Sequence, residues 1–321
     1  MKKSELMAKK TISIEDIPGV GKTIASKLEN IGYTDPMVIA VTAPAELASI
    51  AEIGEGQAAK IINAVRQMMD IGFETADKIL DRRANISKIK TNCKTIDDLL
   101  GGGVETQAIT ESYGAFGSGK TQIGFQLAVN AQLPKDQGGL GGSVLWIDSE
   151  QTFRPERIAQ IAKGLKLDPE KILKNVYVAR AFNSEHQVLL IEKAPEMIEK
   201  NNIKLIVIDS LTSHFRADFV GRGELADRQQ KLNRHLHQLQ RLADAYNLAV
   251  YVTNQVMSRP DVLFGDPTAP VGGHVLGHMA TYRMYLRRGR ENTRIARLVD
   301  SPGMPEGEAV FRISEAGIKE P

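Results

Sequence analysis

The 321-residue chain has one cysteine, Cys93, one tryptophan and only 5% aromatic residues. It has no apolar run near the roughly 18 to 20 residues that a membrane-spanning helix needs. A lone cysteine excludes an intramolecular disulfide, and it leaves any structural zinc site to histidines and carboxylates. The opening segment, MKKSELMAKK, is basic with no apolar stretch behind it, so neither secretion nor insertion is indicated. A reducing, cytoplasmic setting fits these absences. Charge of one sign is missing as well: 41 Lys and Arg against 39 Asp and Glu leave +2, so any nucleic-acid surface has to come from local clusters.

What is present is enough apolar residue for a real core, 42% of the chain, in a length that suits two domains or one α/β domain with an appendage. Composition changes near residue 72. The first stretch is rich in Ala and Ile with helical patterns only. It holds two similar segments, Ile17-Pro-Gly-Val-Gly-Lys22 before a helical run to Ile31 and Ile53-Gly-Glu-Gly-Gln57 before one to Met69. A hydrophobic residue, Gly, any residue and Gly ahead of a helix is the pattern of a helix-hairpin-helix, in which backbone N–H groups at a helix start can meet a phosphate oxygen. The alternative is an ordinary pair of helical hairpins.

From residue 107 onward, β-branched runs at 107–111, 144–148, 176–179, 204–209 and 248–253 alternate with helical patterns at 120–132, 155–165, 185–200 and 224–245. This alternation predicts parallel βαβ units with right-handed crossovers. Three further strand patterns, 281–287, 294–299 and 308–314, have no helices between them and predict an antiparallel extension.

The strongest chemical signal is Gly114-Ala115-Phe116-Gly117-Ser118-Gly119-Lys120-Thr121, a GxxxxGK[ST] match between a predicted strand and a predicted helix. Such a loop turns successive N–H groups and a helix N-terminus toward a phosphate. Lys120 then bridges the β and γ phosphates and Thr121 holds Mg²⁺; the nucleotide site takes in Gln122 as well. Asp209 ends the apolar strand pattern 205–209, the place where an open α/β sheet delivers a second magnesium ligand. Asp148 and Glu150 end another strand pattern, which the reading places one strand from the P-loop, and either acid can orient the water that attacks the γ phosphate.

Six ordered motifs carry a family resemblance. They are residues 114–121, Asp-Ser-Glu-Gln-Thr-Phe-Arg-Pro-Glu-Arg (148–157), Val-Ile-Asp-Ser-Leu-Thr-Ser (207–213), Arg-Gln-Gln-Lys-Leu (228–232), Val-Thr-Asn-Gln-Val (252–256) and Val-Gly-Gly-His (271–274). With the paired helix-hairpin-helix segments they span nearly all of residues 11–318 and resemble the archaeal RadA recombinases, RecA-like strand-exchange ATPases. The resemblance implies an α/β RecA-like P-loop core with a mostly parallel central sheet over 84–321. It also implies a small all-α helix-hairpin-helix domain over 1–71 and a linker with a protomer-joining motif over 72–83. It implies an ATP- and Mg²⁺-dependent, nucleoid-associated filament that pairs single-stranded with double-stranded DNA in homologous recombination and repair, with recombination mediators as further partners.

Residue by residue, the resemblance makes Glu150 the water-activating acid beside Lys120, Arg157 an adenine-stacking group and Gln255 a γ-phosphate sensor that opens a DNA loop. Asp300 and Pro302 become a cap laid over a neighbour's nucleotide, with K⁺ held through Asp300. His278 faces a neighbour's nucleotide. Two long connections, 216–228 and 256–274, read as unstructured and become the DNA loops, with Arg216, Arg222, Arg228, Gly272 and Gly273 toward DNA. Phe73 and Ala76 resemble the Phe-x-x-Ala element that joins protomers head to tail into a helical filament or ring. The sequence departs from the family at Ser149, Gln151 and Ala115, where Thr, Gly and another residue are usual.

Six arginines between Arg283 and Arg297, opposed locally by Glu291, read as a second DNA surface or a solvated hairpin. His235 and His237 stand two apart on a predicted helix and point different ways, against a metal site. Two other readings fit part of the pattern: a non-catalytic relative acting as a mediator, and a RecA-fold translocating ATPase. Candidates for both the N-terminal domain and the joining motif argue against the first, and the helix-hairpin-helix pair and the 256–274 connection against the second.

Overall fold

The computed structural model describes residues 13–33, 35–69, 74–219, 221, 223–258 and 268–321. Two compact units divide the chain, Met1–Ile79 and Leu80–Pro321. In the first, α1 (Lys22–Asn30), α2 (Pro36–Val41), α3 (Pro44–Ala51) and α4 (Glu55–Met68) enclose their own core around Leu28, Tyr33, Ile39, Leu47 and Ile61. Each Gly-x-Gly segment opens a helix: Gly21 precedes α1 and Gly54 precedes α4, neither with a side-chain cap. Gly19 holds φ at +89°, a conformation that glycine adopts without Cβ strain. Ala76 begins α5 (Ala76–Arg83), a helix exposed along its length where the sequence suggests a linker.

The second unit opens with β1 (Lys88–Ile89), α6 (Lys94–Leu99), β2 (Val104–Glu105), β3 (Ala108–Gly114) and α7 (Lys120–Asn130). Then come β4 (Ser143–Asp148), α8 (Pro155–Gly164), α9 (Pro169–Lys174), β5 (Val176–Arg180), α10 (Ser184–Glu192), α11 (Ala194–Asn201) and β6 (Ile203–Asp209). The chain continues through α12 (Ser213–Asp218), α13 (Leu225–Tyr246), β7 (Ala249–Asn254), β8 (Val256–Ser258), β9 (Thr268–Pro270) and α14 (Gly273–Met279). It ends in β10 (Tyr282–Arg288), β11 (Thr293–Asp300), β12 (Gly307–Ser314) and β13 (Gly317–Lys319). Among the described residues no helix is long and apolar enough to cross a membrane.

A nine-stranded sheet carries the unit in the order β13-β12-β11-β10-β3-β7-β6-β4-β5. The strands from β10 to β5 are parallel and those from β10 to β13 antiparallel, as the strand-helix alternation and its loss after residue 280 predict. Central strands are buried on both faces, which explains why they read as continuous apolar runs. Alternate residues serve two cores: Leu205 and Val207 pack with Trp146, Phe125 and Tyr251, while Ile206 and Ile208 pack with Leu232, Leu239 and Phe215.

Three expectations change. β7 and β6 lie between β3 and β4, so Glu150 is not one strand from the P-loop: crossovers carry the chain outward past positions that later strands fill. The helical pattern 185–200 is two helices, because Pro195 in the first turn of α11 has no N–H to continue α10. The connection 256–274 is structured where described: β8 pairs with β9, and Gly272 caps α14.

Gly124 shows how closely α7 is seated. A Cβ there would stand 3.0 Å from the Trp146 ring and 3.5 Å from Tyr251, both fully buried. Gly124→Val should destabilise the core by about 1–3 kcal/mol through overpacking. Thermal unfolding followed by the fluorescence of Trp146 measures this, and an unshifted midpoint would contradict the packing described.

Candidate nucleotide site

The P-loop connects β3 to α7 at the carboxyl edge of the parallel strands. A side chain at Gly114 would collide with the Leu286 carbonyl, and Gly119 caps α7 at φ +107°. Glycine is therefore required at both. Lys120 Nζ donates to the carbonyls of Gly114 at 2.8 Å and Ala115 at 3.1 Å, and burial holds its pKa below that of a free lysine. The buried hydroxyl of Ser118 has no hydrogen-bond partner in the protein. Phe116, at the loop tip, is 93% exposed. Gln122, on the first turn of α7, accepts from Arg157 Nε at 2.7 Å, and the same guanidinium donates to the Ser314 and Glu315 carbonyls. With Gln160 Oε1 as a fourth acceptor at 3.2 Å, Arg157 is fixed beside the P-loop helix.

Asp209 is buried at the end of β6 and accepts hydrogen bonds from Thr253 and, at 3.3 Å, from Thr152. Burial pushes its carboxyl up from the ordinary range, against the pull of those two hydroxyls and of Thr121 close by. Thr121 and Asp209 thus face each other, as two ligands of one hard cation must. Thr121 and Asp209 could hold a hard, oxygen-ligated cation such as Mg²⁺, which keeps most of its ligands as water and phosphate oxygens.

The two acids at the end of β4 and just past it have different tasks. Asp148 accepts from the backbone N–H groups of Glu150, Thr152 and Phe153 at 3.1–3.2 Å, so it shapes the loop. Glu150 Oε1 reaches across the sheet edge and accepts from Ser210 Oγ and Gln255 Nε2, both at 2.6 Å. Ser210, Thr152 and Thr253 escape a reading by sequence, since single hydroxyls carry no spacing signature; the only hint is that each lies at or just past the carboxyl end of a strand. Gln151 sits at φ +59°, which accounts physically for the usual glycine there and costs about 1 kcal/mol.

The other predicted residues are dispersed. Arg216 is exposed on α12, and Arg228 is half-buried in the first turn of α13. Gly272 is buried against Thr212, and Gly273 begins α14. Phe73 and Arg222 lie outside the described residues. Asp300, the last residue of β11, and Pro302, just past it, are exposed, while Arg294, near the start of that strand, donates from Nε to the Gly117 carbonyl at 3.0 Å. The separation of Asp300 from Arg294 along the strand is about 20 Å. The arginine run is partly engaged within the sheet: Arg283 pairs with Glu111, Arg287 with Glu308 and Arg297 with Glu306. The opposing acids come from β3 and the β12 region, which inspection of 283–297 alone does not reveal. His235 is buried, its pKa pushed down to about 3 by desolvation, and His237 is exposed, so the two do not converge.

A P-loop at the carboxyl edge, an acid at the end of β6 and a second acid after β4, on a mostly parallel sheet extended by an antiparallel ribbon, define a RecA-like ATP-binding core. The chain belongs to the Rad51 family, whose model matches residues 82–321, and a SAM-like helix-hairpin-helix tandem matches residues 12–67. Proteins of this family are DNA-dependent ATPases that bind ATP, Mg²⁺ and DNA, assemble into filaments and act in recombination and repair.

Proposed function

We propose that this chain is a strand-exchange recombinase of the archaeal RadA type, hydrolysing ATP within a filament on single-stranded DNA. The observation that carries the reading is the Gln255–Glu150 hydrogen bond. Gln255 separates β7 from β8, the outgoing strand of the second long connection, so the acid and the loop are tied to one residue.

In this reading the P-loop amides, Ser118 and Lys120 hold the triphosphate, Thr121 and Asp209 hold Mg²⁺, and bound Mg²⁺ supplies charge neutralisation at the β and γ oxygens. Glu150, once released by Gln255, orients a water and takes its proton at Oε1. Gln255 then turns to the γ phosphate, and the connection beyond it shifts. Arg157 stacks on the adenine. By resemblance to the family, Asp300 and Pro302 cap a neighbour's nucleotide, with K⁺ bound through Asp300 and His278 facing the same site; the distance of Asp300 along β11 from the P-loop contact at Arg294 is in keeping with this. Arg216, Arg222, Arg228 and Gly273 contact DNA, while Gly272, buried against Thr212, acts by starting α14 at that edge. The division into 1–71, 72–83 and 84–321 assigns duplex contact to the first part, protomer joining through Phe73 and Ala76 to the second, and chemistry to the third.

Gln255→Ala should leave ATP affinity nearly unchanged while erasing the preference of the protein for DNA in its ATP-bound over its ADP-bound form, a coupling of typically 5- to 150-fold. Fluorescence anisotropy of labelled single-stranded DNA reads this, and a retained preference would show that Gln255 is not the link. The reading as a whole is tested by imaging the protein with single-stranded DNA and a non-hydrolysable ATP analogue. Regular filaments are expected for the parent, and Phe73→Ala should shorten them through a loss of more than tenfold in protomer affinity. Filaments of parental length from Phe73→Ala would reject the joining role, and a parent without filaments would reject the reading.

A further inference from the structure

Asn254, the last residue of β7, is fully buried and saturated with hydrogen bonds. Its Nδ2 donates to Glu111 Oε1 at 2.7 Å and to the Val271 carbonyl at 2.6 Å, and its Oδ1 accepts from Thr212 Oγ1 at 2.6 Å. The other oxygen of the buried Glu111 takes Arg283 Nε at 2.7 Å. Val271 N in turn donates to the Gln255 carbonyl at 2.9 Å. One amide therefore joins β3 three residues before the P-loop glycine, the segment just after β6, and both sides of the neck of the second connection.

The arrangement is a poor device for stability alone. A buried ion pair of this kind is commonly replaceable by apolar residues at no loss. Its effect is specificity of position: any shift of Val271 against Asn254 strands a buried donor or acceptor, so the neck moves as a unit with Thr212 and Glu111 or stays still. The contact of Gly272 with the Thr212 methyl, 3.2 Å from an added Cβ, closes the same junction from the other side.

We propose that Asn254 is a positioning residue that transmits DNA engagement of the second connection to Gln255 and hence to Glu150, with Thr212 carrying the segment that leads to the first connection. The inference rests on the proposed function above. DNA drawn against the loop displaces the neck, and the amide converts that displacement into release of Glu150.

The test compares ATP turnover with and without single-stranded DNA in the full chain. Thr212→Val keeps the side-chain shape and removes one donor. It should lower the DNA-stimulation ratio by about fivefold, the low end of site-to-site coupling, with DNA-independent turnover within about twofold of the parent. Asn254→Asp places an oxygen against Glu111 and the Val271 carbonyl and should lower the ratio by about tenfold or more. Adding Glu111→Gln restores a donor to the introduced carboxylate while its amide oxygen still accepts from Arg283, so the double variant should recover part of the loss; DNA-independent turnover, which a merely structural lesion would lower in parallel, should stay within about twofold of the parent. If Asn254→Asp fails to fold, Thr212→Val decides. A parent stimulated by DNA and a Thr212→Val variant stimulated to the same ratio would overturn this inference alone. Parallel loss of both rates would overturn it as well, and a parent with no DNA stimulation would remove the proposed function and this inference together.

Discussion

Glu150→Gln should slow ATP hydrolysis by about 10²- to 10⁴-fold while leaving ATP binding intact. The amide keeps the shape of the carboxylate and its oxygen still accepts from Ser210 and Gln255, so the loop shaped by Asp148 has no reason to move. What is lost is the ability to take a proton from water. Filaments formed with ATP should consequently persist instead of turning over. Single-turnover hydrolysis with equilibrium nucleotide binding separates the two effects. Turnover within a fewfold of the parent would place the catalytic acid elsewhere, and Asp148 is unsuited to replace it because three backbone N–H groups already occupy its carboxylate.

Lys120→Ala should fail earlier in the cycle. The lysine is the loop's only side-chain cation, and its ammonium also holds the Gly114 and Ala115 carbonyls. Its removal takes the charge from the β and γ phosphates in a partly buried site, where such a contact is worth about 10²- to 10³-fold in rate. Hydrolysis should fall below detection and ATP affinity should drop with it, in contrast to Glu150→Gln. An unchanged melting temperature would exclude unfolding as the cause. Normal turnover would reject the P-loop assignment.

Much of this is legible in the amino-acid sequence. The P-loop showed because glycines at 114 and 119 answer steric demands that no other residue meets. The central strands showed because burial on two faces leaves continuous apolar runs. Sheet order was not legible, since a crossover of given length can return beside its strand or past it, and the strands that separate β3 from β4 come later in the chain. Short pieces such as β8 and β9 were invisible, because two or three residues carry no periodicity. The site's hydroxyl partners were missed for a related reason: Ser210 and Thr253 act only because parallel register brings the ends of β4, β6 and β7 together. Gln151 is instructive in the other direction. A departure from a family habit became interpretable once its positive φ showed what the usual glycine provides.

The central claim is that nucleotide chemistry in this core drives exchange between homologous DNA strands, and the most direct measurement is strand exchange itself. Purified protein with ATP and Mg²⁺ is placed on a single strand and given a doubly labelled duplex, with separation of the labels followed by fluorescence. Transfer should occur with a homologous duplex, depend on ATP and be absent with a heterologous one. Hydrolysis stimulated by single-stranded DNA with no transfer, or transfer indifferent to homology, would contradict the account.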